Sequence, residues 1–109
     1  MAAAPTSTIA VLARLEAAPG KRAELVDALQ QALVNADDEP GTRIYLMHTD
    51  DSDDDAVWFY EMYADRDALD AHRSTDGFKA LGAAIAGLVA GRPELTFLTP
   101  VGGKGIPTP

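Results

Sequence analysis

The chain contains no cysteine. That absence removes disulfides, thiolate zinc sites and a cysteine nucleophile together, and makes a cytoplasmic setting the default expectation. No apolar run approaches the ~20 residues that a membrane-spanning helix needs. The opening residues MAAAPTSTIA have neither a basic n-region nor an apolar h-region, so no signal peptide is expected. Basic residues are scarce, with nine Lys and Arg against 17 Asp and Glu, for a formal net charge of −8. A surface of that sign repels nucleic-acid phosphates and anionic headgroups. The basic residues form no patch, so neither nucleic acid nor membrane is expected as a partner. The common catalytic signatures are missing as well: there is no G-x-S-x-G, Walker loop, G-x-G-x-x-G or H-E-x-x-H. GGKG near the C-terminus lacks the spacing and the following helix of a phosphate loop.

What remains is a small globular chain. Its 109 residues, 47% hydrophobic and 24% charged, suit one domain spanning 1–109, with a core over about 8–101 and a Gly- and Pro-rich tail over 102–109. TSTIAVLARLEA alternates as a strand, with Ile9, Val11, Ala13 and Leu15 on one face. After the Pro19-Gly20 turn, KRAELVDALQQALVNADDEPG sets Leu25, Val26, Leu29 and Leu33 at helical spacing and ends before Pro40. TRIYLMHT and AVWFYEMYA read as a hairpin joined across DDSDDD. The period then changes. DRDALDAHRS predicts a short helix capped by Asp65, TDGFKALGAAIAGLVAG a second helix stopped by Gly91 and Pro93, and ELTFLTPV a last strand.

The order β-α-β-β-α-β, with its second helical segment broken in two, is the ferredoxin-like arrangement, an α+β fold with helices on one face of an antiparallel sheet. In the third strand Val57, Phe59 and Tyr63 share one face and Trp58, Tyr60 and Met62 the other. Helices cover only one of them. The other would be an apolar patch unusual for a monomer, which predicts a face-to-face homodimer.

Several constellations carry candidate chemistry. The acidic loop fails as an EF-hand. A start at Asp51 puts Ala56 where the turn needs glycine and Met62 at the last ligand position, and a start at Asp50 puts Asp55 in the glycine position. It reads as a solvated hairpin loop, and no metal site is expected. His48, beside that loop, reads as an edge residue paired with a nearby Asp. Glu61, between Tyr60 and Met62 in a central strand, must be paired, hydrogen-bonded or neutralised. A helix folding back on the sheet could bring His72 to it, and a bond to a turn, Arg66 or Arg73 would satisfy it equally. Tyr45, Trp58, Phe59, Tyr60, Tyr63 and Phe78 combine apolar walls with polar tips, as a pocket for a planar molecule requires. Which face of strand 56–63 lines that pocket is left open.

EPGTRIYLMH followed by VWFYEMYADRDALDAHRSTDGFKAL resembles the antibiotic biosynthesis monooxygenase (ABM) domain family. The elements that carry the likeness are Glu39-Pro40-Gly41, the aromatic strand around Glu61, Asp65, Ala68-Leu69, Ala71-His72, and Ser74 with Phe78. The resemblance implies a dimeric α+β barrel that oxidises quinols or polyketide anthrones with molecular oxygen and without metal, flavin or haem. A haem-degrading branch relies on residues that align near Ala13, His72 and Gly82, and this chain matches none of them. On this resemblance the expected catalytic residues are His72, as proton acceptor, and Glu61, orienting it or holding the loop above it. Tyr45, Trp58, Tyr63 and Phe78 are expected to bind substrate, and Arg43 to stabilise an oxyanion. An isomerase or lyase using the same base, and a non-enzymatic ligand-binding dimer, are the alternatives.

Overall fold

The computed structural model describes residues 2–3 and 7–106. The elements in chain order are β1 (Ala2–Ala3), β2 (Ile9–Glu16), α1 (Arg22–Asp37), β3 (Thr42–Thr49), β4 (Ala56–Tyr63), α2 (Arg66–Ser74), α3 (Asp76–Ile85), β5 (Glu94–Leu98) and β6 (Gly102–Gly103). β2 to β5 form a four-stranded sheet of order β3-β4-β2-β5, and every neighbouring pair in it is antiparallel. This is the ferredoxin-like α+β fold expected from the periodicity. β2 and β4 take its centre.

Local chemistry accounts for the joints. After β2 the Lys21 amide donates to the Ala18 carbonyl at 2.9 Å. Gly20 has φ +76, so Pro19 and Gly20 fill the central positions of a type II turn, which needs positive φ at its third residue. α1 then buries the stripe Leu25, Leu29, Ala32 and Ala36. At the start of α2 the Asp65 carboxylate accepts from the Ala68 amide at 2.8 Å, the expected cap. Thr75 closes α2 and caps α3 through its hydroxyl.

All three helices pack on one side of the sheet. Leu25 and Leu29 of α1 and Leu81 and Ile85 of α3 meet Ala13, Leu15, Val57 and Phe59, while Leu69 of α2 joins Val11 and Tyr63. Cross-strand pairing puts Leu12, Tyr60 and Leu46 side by side on the opposite face, next to Met62 and Ile44. There Leu46 is 52% exposed and Leu98 42%.

Three expected elements differ. The second helix stops at Ile85 instead of running to Gly91. Gly87 weakens its last turns, and the backbone is drawn to the end of β2: Ala90 donates to the Glu16 carbonyl and Ala18 to that of Leu88. β5 ends at Leu98, short of Val101. In the expected tail, Gly102–Gly103 pair antiparallel with Ala2–Ala3, while residues 107–109 lie outside the described residues. No described helix is long and apolar enough to cross a membrane.

Candidate functional site

Between the helices and the sheet lies a cavity of about 140 Å³. Its apolar walls include Leu15, Leu29, Ala32, Phe59, Leu81 and Ile85, and its polar groups gather near Glu39, Glu61 and His72.

His72 stands on the inner face of α2, 6% exposed. Its Nδ1 lies 2.6 Å from Glu39 Oε1, which also accepts the Thr42 hydroxyl at 2.7 Å. With Nδ1 engaged, Nε2 is the ring nitrogen without a hydrogen-bond partner among the described residues. The ring is held by Tyr45, Tyr63 and Phe78, with centroids 5.2, 5.3 and 5.4 Å away. A carboxylate on Nδ1 fixes the tautomer with its proton on that nitrogen and leaves Nε2 as a basic acceptor.

The Glu39-Pro40-Gly41 turn is shaped for this contact. A Cβ on Gly41 would stand 2.5 Å from the Ala68 Cβ, so only glycine lets the turn lie against α2. Ala68 and His72 are one helical turn apart on the same face. The turn therefore meets α2 at two points, Gly41 on Ala68 and Glu39 on His72. The Gly41 carbonyl, accepting from the Ala64 amide at 2.9 Å, ties it to the end of β4 as well.

Glu61 sits in mid-β4 between Val11 of β2 and Tyr45 of β3, and is 8% exposed. Its Oε1 accepts the Tyr63 hydroxyl at 2.5 Å. Burial raises its pKa above the ordinary carboxylate value, an effect that Tyr63, His72 and Arg73 oppose. Burial, reinforced by the Glu61 charge, likewise raises the phenol pKa values of Tyr45 and Tyr63, so both hydroxyls stay protonated.

Not all the expected residues converge. Tyr45, Glu61, His72 and Phe78 line the cavity, and Tyr63 lies fully buried behind Glu61. The partner that holds His72 is Glu39; Glu61 bonds to Tyr63 instead. Trp58 is on the opposite face of the sheet, where its indole donates to Asp50 at 2.8 Å. Arg43 falls in the irregular register between Thr42 and Ile44 and points to solvent. His48, exposed across from Trp58, has no hydrogen bond to an Asp among the described residues.

The acidic loop is consumed by its own structure. Arg22 donates to the Asp50 and Asp53 carbonyls at 3.0 and 2.9 Å, and Arg14 to the Asp53 carboxylate at 2.8 Å. Bonds from Trp58 and Ser52 hold the Asp50 carboxyl at about 2. No group of three or more His, Asp or Glu side chains among the described residues could hold a metal ion.

Comparison with protein-family profiles matches residues 8–84 to antibiotic biosynthesis monooxygenase. The chain belongs to that family. Solved structures agree. A protein of Caulobacter crescentus CB15, provisionally named an antibiotic biosynthesis monooxygenase, is 35% identical with a TM-score of 0.82, over 89% of this chain and 92% of that one. One of Chloroflexus aurantiacus, named in the same provisional way, is 29% identical with a TM-score of 0.79, over 93% and 100%. A third, from Mycobacterium tuberculosis, is 27% identical with a TM-score of 0.81, over 91% and 100%. A comparison with the curated proteins gives no match. The matched ABM segment contains Glu39, Glu61 and His72 together.

Proposed function

We propose that this ABM protein is a cofactor-independent monooxygenase that oxidises a quinol-like or polyketide-like aromatic with molecular oxygen, and that it acts as a homodimer. The observation that carries the reading is the His72–Glu39 pair, 2.6 Å apart, on the wall of an apolar cavity. His72 Nε2 accepts the proton of a phenol or an activated ring carbon, and Glu39 stabilises the imidazolium that forms. The resulting anion gives one electron to oxygen, and the two radicals combine as a peroxide. Loss of water from the peroxide leaves a quinone. The substrate supplies every electron, one oxygen atom stays in the product, and the other leaves as water. Apolar walls keep solvent from quenching the anion. The cavity, about 140 Å³, compares with the ~150 Å³ apolar cavities that accept benzene. One ring fills it, and further rings of a larger substrate would project through the mouth.

Oxygen consumption by metal-stripped protein, against a panel of hydroquinones and anthrones corrected for autoxidation, tests the proposal. Uptake that scales with protein and survives chelators supports it. Substrate conversion without uptake would favour an isomerase or lyase that uses the same base.

Glu39 is a positioning residue. Glu39→Gln keeps the shape but loses the charge, and kcat is expected to fall roughly 10–100-fold with little change in KM. A purely structural role would lower the melting temperature without this split between kcat and KM.

The homodimer reading rests on the uncovered apolar face. Leu46→Asp would put a charge among Leu12, Tyr60 and Ile44 and is expected to give monomers by sedimentation velocity at concentrations where the parent chain is dimeric. A monomeric parent chain would overturn it.

A further inference from the structure

Glu61 is a buried polar group of the cavity that the proton transfer leaves unused. It is more than nine-tenths buried, and only Oε1 is engaged, by the Tyr63 hydroxyl. Among the described residues every fully inaccessible side-chain oxygen has a partner, so the free Oε2 reaches open space, and the space that Glu61 lines is the cavity. A carboxylate oxygen offers only acceptor capacity and so requires a donor opposite it. Two of the cavity's polar groups share this character, His72 Nε2 as an acceptor and Glu39 as a second carboxylate, while Tyr45, Asn35 and Thr75 also line it and can donate. Arg73, the one cationic side chain lining the cavity, is exposed.

We infer that Glu61 is a specificity-determining residue that accepts a hydroxyl hydrogen from an uncharged aromatic ring and excludes rings bearing a carboxylate. With one hydroxyl on His72 and a second donor on Glu61, the ring is held by two acceptors. An anionic substituent in the second place would face the Glu61 carboxylate across a low-dielectric space, and like charges repel strongly there. The inference rests on the proposed monooxygenase reading for its choice of ligand, and its test is separate because it requires binding and no turnover.

The probes are hydroquinone and 4-hydroxybenzoate, which differ by exchange of one hydroxyl for a carboxylate. Binding is measured anaerobically by calorimetry on the full chain and on Glu61→Gln, whose fold is checked by circular dichroism. The parent chain is expected to prefer hydroquinone by at least about tenfold. Glu61→Gln keeps an acceptor without the charge, and there the ratio should shrink at least about threefold through tighter 4-hydroxybenzoate binding. Equal binding of the two rings by the parent chain overturns the inference, as does a ratio unchanged in Glu61→Gln or binding of neither ring. If the variant does not fold, the parent comparison decides alone. Absence of oxygen uptake with the discrimination intact would sink the monooxygenase reading and leave this one standing.

Discussion

Replacing His72 with alanine is expected to lower oxygen-consuming turnover by roughly 10²–10⁴-fold, the usual contribution of a positioned general base. The ring is the one imidazole on the cavity wall, and its second nitrogen is committed to Glu39 at 2.6 Å. The Tyr45 and Tyr63 phenols are held protonated by burial and cannot take its place as proton acceptors. Truncation also removes ring contacts with Tyr45, Tyr63 and Phe78, so the variant should melt at a lower temperature. Added imidazole separates the two effects. It fits the vacated space and should restore part of the turnover, which a loss of folding would not allow. A folded variant with full turnover and no response to imidazole would remove His72 from the mechanism.

The second large effect is expected at a residue with no side chain. Gly41→Ala puts a Cβ 2.5 Å from the Ala68 Cβ, a separation that two carbons do not tolerate. Both atoms are fixed to backbone, so no rotamer change relieves the clash and either the turn or α2 must move. Overpacking of this kind costs about 1–3 kcal/mol. In a domain of this size each kcal/mol lowers Tm by roughly 4–8 °C. The displacement separates Glu39 from His72 as well, so turnover should fall further than the melting curve alone explains. Ala68→Gly in the same chain removes the clashing carbon, and the double variant should recover activity. Its stability should stay below the parent's by about 1 kcal/mol, the cost of glycine within a helix. A Gly41→Ala variant with parental Tm and turnover would show that the turn does not press on α2.

Most of the fold was readable because its signals are local. Alternation over Ile9–Glu16 and Ala56–Tyr63, the change of period at Asp65 and the Pro19-Gly20 turn each reflect chemistry within a few residues. The helix that stops at Ile85 was misread because what ends it, bonding of 88–90 to the end of β2, comes from a distant strand. The same division explains the site. His72 could be picked out as a titratable group on the inner face of a helix, whereas its partner lies 33 positions away and leaves no trace in local spacing. The signal for Glu39 was present in the Glu-Pro-Gly turn itself, since a carboxylate beside a tight glycine turn entering β3 lands next to whatever follows β4. Trp58 was excluded by parity alone. It cannot share a face with Phe59 or Tyr63, and the face that takes the helices takes those two. Arg43 has the parity of Tyr45, and only the irregular register beside it turns it away.

The two sides of the cavity differ in how firmly they are held. β4, α1 and α2, which carry or abut Glu61, Glu39 and His72, bury large side chains, while α3 buries none and every residue of β5 is exposed. Segments with few buried side chains open at low free energy, without the rest of the domain unfolding. The chamber thus resembles a vice with one fixed jaw and one sprung. On the proposed monooxygenase reading, substrate and oxygen would pass by the outward breathing of α3 and β5, while the His72–Glu39 geometry on the fixed side stays set.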